Sequence, residues 1–172
     1  RRVLRPDGLF LAALFGAGTL TELREAWAIA EAAEEGGVSP RVAPFAEVRD
    51  AGGLLQRAGF ALPMADMDTI TVDYPDAFAL MRDLRAMGET NALHQRRKNF
   101  TRRATLMAMA EAYKARFGDD EGRIPATFQG LWLTAWAPDT SQQQPLTPGS
   151  AKSRLADALD ATERPAGVKA KP

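Results

Sequence analysis

The stretch that decides the fold is LRPDGLFLAALFGAGTL, from Leu4 to Leu20. It begins with a turn, in which Pro fixes one φ angle, Asp can bond its own backbone and Gly tolerates a positive φ. Residues 9–15 then form an unbroken apolar run, whereas a strand with one exposed face would alternate. The run therefore predicts a strand that is buried on both faces, as in the parallel sheet of an α/β protein.

The end of this stretch predicts a change from strand to helix. Residues 16–18 (GAG) end the apolar run, and Thr19 with Glu22 has the spacing of a capping box, in which two side chains cap the first amides of a helix. Dinucleotide-binding folds hold phosphates at such a glycine-rich turn, but the third glycine of their fingerprint would fall at Thr21. A tight structural turn is therefore favoured over a nucleotide site.

Composition excludes several classes of function. The 172 residues contain 22 Lys and Arg against 22 Asp and Glu, and a balanced chain lacks the basic character of a nucleic-acid-binding domain. There is no cysteine, and His94 is the only histidine, which excludes thiol chemistry and most metal sites and catalytic triads. No apolar run is long enough to span a membrane, and no signal peptide is visible. We expect a cytoplasmic protein without nucleic-acid partners.

Hydrophobic periodicity predicts the other elements. Helices are expected at about 19–35, 45–58, 76–87 and 104–117, and strands within 60–74 and at 126–136. The last strand is apolar on both faces and should lie inside the sheet, with Phe128, Trp132 and Trp136 in the core. We interpret residues 1–137 as one domain and 138–172 as a low-complexity, partly disordered tail with a short helix at about 150–161.

Two strands with two apolar faces are difficult to bury in a sheet of only three. Either the chain self-associates through an exposed sheet edge, or part of the domain is absent. A basic patch, formed by His94, residues 96–98 and residues 102–103, is a solvated surface or a site for an acidic partner or an anionic ligand. Asp66, Asp68 and Asp73 are interpreted as solvated strand surface rather than as a cation site.

Short motifs follow the LRPDG turn in a fixed order. They are GTLxELR from Gly18, EGGxSPxxxPF from Glu35, LxxRAGF from Leu54, VxYP from Val72, LMxDL from Leu80, MGExN from Met87 and PAT from Pro125. Together they resemble the C-terminal half of class I S-adenosylmethionine-dependent methyltransferases. The resemblance is close to the methyltransferase-like assembly factor of mitochondrial respiratory complex I (an arginine hydroxylase) and its bacterial homologues. It is more distant to the biotin-synthesis malonyl-carrier-protein methyltransferase.

The resemblance implies an α/β, Rossmann-like sheet of seven strands. This chain would supply strands five to seven, with the last strand antiparallel between the other two and a helical insertion at about 75–117. S-adenosylmethionine is the family's cofactor, but its binding motif lies in the other half, so no cofactor is expected for this chain alone. The resemblance also implies a bacterial cytoplasmic location and a protein substrate or partner, such as a complex I subunit.

The motif matches imply substrate contact and leave the chemistry open. The residues concerned are Gly18, Thr19, Tyr74, Pro75, Met87 and Asn91. No catalytic residue can be named, and methylation and hydroxylation both remain open. The function expected is therefore that of the C-terminal portion of a methyltransferase-like protein. The alternatives are a non-catalytic interaction module related to complex I assembly and, less favoured, a small nucleotide binder.

Overall fold

The computed structural model describes residues 1–148, 150, 153–162 and 167, which form three strands and five helices. The strands are β1 (Leu9–Phe15), β2 (Ala61–Tyr74) and β3 (Ile124–Trp136). The helices are α1 (Thr21–Glu35), α2 (Val48–Arg57), α3 (Ala77–Ala86), α4 (Arg103–Phe117) and α5 (Leu155–Ala158). The α/β class and the order of elements agree with the sequence analysis.

The three strands form one sheet in the order β1-β3-β2. β3 is antiparallel to both neighbours: Leu9 pairs with Trp136 on one side, and Tyr74 pairs with Ile124 on the other. The prediction that the last strand lies inside the sheet, antiparallel to the other two, is confirmed. The parallel neighbour expected for β1 is not found among the described residues, because the strand that pairs with β1 is the antiparallel β3.

The expected burial of β1 on both faces is wrong for this chain. Phe10 and Ala12 are partly buried beside α2, but Leu9 and Leu11 on the opposite face are 51% and 67% exposed. The physical reason is that α2 covers one face of the sheet, and no described element covers this end of the other face. β1 also lies at the edge of the sheet. An apolar strand therefore has one apolar face and one edge open to solvent.

β3 is apolar on both faces because helices pack on both sides of it. Near its start, Ile124 and Ala126 are buried in a cluster with α1, α3 and α4. Further along, Leu131, Leu133 and Ala135 point to the opposite face and are buried with Ala51 and Leu55 of α2. Successive strand residues point to opposite faces, so both clusters draw on the same strand. The core is thus divided between the two sides of β3.

The interpretation of three aromatic residues as core holds only in part. Phe128 is partly buried and packs against the cluster of α1, α3 and α4. Trp132 lies on the same side of β3 but is 52% exposed, and Trp136 is half-buried. Trp132 pairs across the sheet with Ala13 and Asp66, in the part of the face that no described helix covers. Its exposure follows from that open face.

The segment after β1 binds the edge of β3, and the predicted capping box is wrong. Helix α1 begins at Thr21, and Leu20 before it adopts a left-handed conformation without a side-chain cap. The Glu22 carboxylate instead accepts hydrogen bonds from the Thr127 amide and hydroxyl. The Leu20 amide donates to the Thr127 carbonyl at 2.7 Å. These hydrogen bonds pair backbone groups of β3 beyond the point where β1 ends. Pairing the backbone of β3 therefore takes precedence over capping the first turn of α1.

The chain divides into two compact units, residues 1–139 and 140–172. In the second unit, the predicted short helix is reduced to the four residues of α5, where Leu155 is exposed. Part of the region expected to be disordered, at 149, 151–152, 163–166 and 168–172, lies outside the described residues. None of the helices in the described ranges is long and apolar enough to cross a membrane.

Candidate functional site

A cleft lined by arginines lies between α1, α3 and the segment that connects α3 to α4. Its volume is about 740 Å³. The apolar side chains in its lining come from three helices: Leu23, Trp27, Phe78, Met81, Leu84 and Leu106. Five arginines complete it: Arg41, Arg82, Arg85, Arg96 and Arg97. We call this the arginine cleft. It combines an apolar wall with a strongly basic one.

Two acids of α1, of which Glu31 is buried and Glu35 is partly buried, hold two of the five arginines. Arg41 Nε donates to Glu31 Oε1 at 2.6 Å, and its guanidinium carbon lies 4.5 Å from the centre of the Trp27 ring. Glu31 is only 1% exposed. Arg97 Nη1 donates to the carboxylate of Glu35, near the C-terminal end of the same helix. α1 therefore fixes the positions of two cationic groups in the arginine cleft.

Hydrogen bonds keep these two acids charged. Burial alone would raise the pKa of Glu31, but hydrogen bonds from Ser39 and from Arg41 outweigh it, and the pKa is lowered from its ordinary value of 4.5. The hydrogen bond from Arg97, and then that from the Thr105 hydroxyl, lower the pKa of Glu35. Both carboxylates are consequently ionised at neutral pH, and each balances the arginine that it holds.

The other three arginines have no acidic partner among the described residues. Arg82 and Arg85 are exposed, three residues apart on α3, and make no ion pair with the described part of the chain. Arg96 Nη1 donates to the Leu93 carbonyl at 3.1 Å. Glu89 is the one acidic residue among those that line the cleft. The arginine cleft therefore carries a surplus of positive charge.

A second, mainly apolar cleft of about 690 Å³ lies along the open face of the sheet. It is lined by Phe15 at the carboxyl end of β1, by Phe45 in the following loop, and by Phe128 and Trp132 of β3. Glu89 lines both this cleft and the arginine cleft. The two clefts thus meet at the segment that follows α3. In α/β sheets, the carboxyl ends of strands are where ligands usually bind.

The glycine-rich turn is filled by a side chain of the protein itself. The Gly18 amide donates to Gln129 Oε1 at 3.1 Å, and a Cβ placed at Gly16 would lie 2.5 Å from that oxygen. Thr19 is buried and exchanges two hydrogen bonds with the Gln129 backbone. The glycines allow Gln129 to approach closely, and the turn offers no open cradle to a phosphate or a cofactor. This arrangement counts against a nucleotide site here.

The other four residues predicted from motifs surround α3. Tyr74 ends β2 and is buried, and burial followed by the nearby Asp83 carboxylate raises the pKa of its hydroxyl. Pro75 follows it and is exposed. Met87 comes directly after α3 and is 53% exposed. Asn91 lines the arginine cleft, and its Nδ2 donates to the Pro40 carbonyl at 2.8 Å. Gly18 and Thr19 lie apart from this group, against Gln129.

The sequence analysis did not single out three of the cleft's arginines. Arg96 and Arg97 belong to the basic patch that it identified, but Arg41, Arg82 and Arg85 were not named as site residues. The available signal was the spacing of Arg82 and Arg85, three residues apart on a helix whose opposite face is apolar. As for metals, the described ranges contain no group of three or more His, Asp or Glu side chains that could hold an ion.

Comparison with known proteins gives relatives but no family model, since none matches the chain. Arginine-hydroxylase NDUFAF5, mitochondrial, of Dictyostelium discoideum is 46% identical over 158 residues, which are 91% of this chain and 36% of that protein. The human protein of the same name is 44% identical over 149 residues, or 87% and 43% of the two chains. Malonyl-(acyl-carrier protein) O-methyltransferase of Xylella fastidiosa (strain M23) is 41% identical over 147 residues, or 86% and 46%.

The chain spans less than half the length of these three relatives. Within that span, the similarity extends over about nine tenths of the chain and includes both groups that the sequence motifs indicated. The resemblance inferred from the motifs is therefore confirmed: this chain is related in sequence to arginine-hydroxylase NDUFAF5 and to malonyl-(acyl-carrier protein) O-methyltransferase, which are both methyltransferase-like proteins.

Proposed function

We propose that this chain is the C-terminal portion of an S-adenosylmethionine-dependent, methyltransferase-like protein, in which it supplies part of the sheet and the cap of the substrate site. The observation that carries the proposal is the open side of the sheet. β1 is an edge strand, and Leu9, Leu11 and Trp132 expose apolar surface on a face that no described helix covers. In a chain with less than half the length of its relatives, the remainder of such a protein is the natural cover.

We propose that the chain alone does not bind S-adenosylmethionine. The one glycine-rich turn between a strand and a helix in the described part of the chain is filled by Gln129. Substrate contact is proposed for the six residues of the motif matches: Gly18, Thr19, Tyr74, Pro75, Met87 and Asn91. The relatives carry two different activities in their names, so methyl transfer and hydroxylation are both retained, and no residue is assigned as catalytic.

A calorimetric titration tests the cofactor part of the proposal. S-adenosylmethionine is added to the 172-residue chain and, as a positive control, to the full-length Xylella methyltransferase. We expect saturable binding by the control and none by the chain up to about 1 mM ligand, where binding would be worth only ~4 kcal/mol. A micromolar dissociation constant for the chain would overturn the proposal.

The intact mass of the native protein, purified from its own cells, tests whether this chain is a portion of a longer protein. A species longer than this chain by about 100 residues or more, which is the scale of a missing half of a domain, would support the proposal. A native species of 172 residues would contradict it, because the open sheet would then exist without the rest of a methyltransferase-like domain.

One observation favours the alternative of a non-catalytic interaction module, related to respiratory complex I assembly as the resemblance implies. Phe100 is fully exposed, and it lies in the basic segment 98–103, which contains Lys98, Arg102 and Arg103. Aromatic and arginine side chains are enriched at the centres of protein interfaces. This alternative requires the chain to fold cooperatively by itself. A broad thermal transition with a disperse distribution of oligomers would contradict it.

A further inference from the structure

We propose that the arginine cleft binds an anion that carries an apolar chain, such as an alkyl carboxylate or an alkyl phosphate. The inference goes beyond the proposed function, because it requires neither the cofactor nor the rest of a methyltransferase-like protein. All of the groups that it uses belong to this chain: α1, the loop with Arg41, α3 and the segment from Glu89 to Arg97.

The size and the apolar wall of the cleft determine the body of the ligand. A volume of about 740 Å³ lies in the ~300–1,000 Å³ range of small-molecule sites. Trp27, Met81 and Leu84 contribute apolar surface from two helices, and Leu106 adds a third. An alkyl chain of several carbons would cover this wall, and each methylene group that leaves water would favour binding. A small inorganic anion would leave most of the wall wet.

The arginines determine the charged end of the ligand. Arg41 and Arg97 are already positioned by Glu31 and Glu35, so little side-chain entropy would be lost when an anion binds beside them. The guanidinium groups of Arg82 and Arg85 make no ion pair with the described part of the chain, and their planar arrangement of donors matches the two oxygens of a carboxylate or phosphate. The arginine cleft thus contains two arginines that acids hold in position and two whose guanidinium groups are not committed to an acid of the described part of the chain.

The same charges exclude a cationic ligand. Glu31 and Glu35 balance Arg41 and Arg97, so a positive group in the cleft would face three arginines without an acidic partner in the described part of the chain, Arg82, Arg85 and Arg96, and a single acid in the lining, Glu89. Like charges repel each other, and the apolar wall of the cleft lowers the local dielectric constant, which strengthens that repulsion. The sign of the charge is therefore the property on which the cleft selects.

Four probes that share an eight-carbon chain separate charge from hydrophobicity. Octanoate, octyl phosphate, octanol and octylammonium are titrated into the 172-residue chain, and binding is followed by calorimetry. Octanol is essential because the open face of the sheet can adsorb any alkyl chain. We expect saturable binding of one or both anions at least tenfold tighter than that of octanol, and no saturable binding of octylammonium. The two anions distinguish a carboxylate site from a phosphate site. Equal binding of octanol or octylammonium would overturn the proposal.

A double variant in the cleft and a control variant outside it locate the binding. Arg82→Gln/Arg85→Gln removes the uncommitted donors, and both side chains are exposed, so the fold should survive, as a thermal melt will check. We expect its affinity for the better anion to fall at least tenfold. Arg49→Gln, which changes an exposed arginine of α2 outside the cleft lining, should bind like the parent chain. An unchanged affinity in the double variant, or an equal loss in Arg49→Gln, would overturn the assignment to this cleft.

Discussion

Thr19 and Gln129 are joined by two hydrogen bonds that use the same hydroxyl group. Thr19 Oγ1 donates to the Gln129 carbonyl at 3.1 Å and accepts from the Gln129 amide at 3.0 Å. The threonine side chain therefore acts at this point like the backbone of a neighbouring strand. It continues the pairing of β3 beyond the end of β1, and its burial leaves no water to replace it.

Replacing this hydroxyl should be costly. Thr19→Val keeps the shape of the side chain but leaves the part-buried Gln129 amide without its acceptor, while the Gln129 carbonyl keeps only its hydrogen bond from the Gly16 amide. We expect the free energy of unfolding to fall by about 1–3 kcal/mol, measured by urea denaturation. The control is Thr71→Val, at an exposed position of β2. A loss of similar size in both variants would show that the pair with Gln129 is not the cause.

The close approach of Gln129 predicts a dependence between two positions. Gly16→Ala would place a Cβ 2.5 Å from Gln129 Oε1 and 3.0 Å from the Leu131 side chain, so we expect it to destabilise the chain. In the background of Gln129→Ala, the same substitution should cost less, because the nearest contact is gone. A double-mutant cycle measures this coupling, for which we expect about 0.5–3 kcal/mol. Strictly additive effects would contradict the contact.

The pair of Glu31 and Arg41 predicts a dependence of stability on pH. The pKa of Glu31 is lowered in the folded chain, so its contribution is complete above the ordinary value of 4.5 and is lost as the pH falls through the lower, folded value. Glu31→Gln should cost about 3 kcal/mol at pH 7, because it leaves the half-buried Arg41 uncompensated. The difference between the parent chain and the variant should shrink as the pH is lowered from about 5 to 3.

Denaturation at several pH values provides the measurement for this prediction. Glu34→Gln is the control, since Glu34 lies on the same helix but is exposed. Its stability should follow that of the parent chain at every pH. A constant difference between Glu31→Gln and the parent chain across the acid range would contradict the role given to the ionised carboxylate.

Adjacent residues of β3 predict opposite effects on stability and association. Leu131 is fully buried beneath α2, whereas Trp132 points to the open face. Leu131→Gln should therefore cost about 2–5 kcal/mol. Trp132→Gln should change the stability of this chain by less than about 1 kcal/mol and lower its self-association, measured by sedimentation velocity. Unchanged self-association of Trp132→Gln would contradict the view that chains associate through the open face of the sheet.

The sequence was most informative where local pattern and tertiary structure agree. The apolar residues on both faces of β3 predicted its interior position, and Leu131 and Ala126 are buried on opposite sides of this strand. It was misleading for Trp132 and for Leu11, which are exposed. The apolar character of a residue does not tell whether another element of this chain packs against it. The capping box failed because Thr19 and Glu22 bind β3, a partner more than 100 residues away in the sequence, which local spacing cannot reveal.

The arginine cleft could not be predicted for a related reason. Arg41, the pair of Arg82 and Arg85, and the pair of Arg96 and Arg97 come from three separate stretches of the chain. Glu31 and Glu35 hold two of these stretches against α1 through their ion pairs with Arg41 and Arg97. Each arginine alone has the pattern of an ordinary surface residue. The glycine-rich turn at residues 16–18 is the opposite case. Its spacing suggests a phosphate-binding site, but in the structure its glycines make room for the Gln129 side chain.

The middle place of β3 has a consequence for the order in which the protein can fold during synthesis. Both outer strands pair with β3, which is the last of the three described strands in sequence, and 111 residues separate Gly18 from its partner Gln129. Until residue 136 emerges, β1 and β2 therefore lack the described strand that joins them in one sheet. Contacts so distant in sequence form slowly, and exposed apolar strands aggregate. Any product that stops before β3 therefore lacks the strand that joins β1 and β2 in the described sheet.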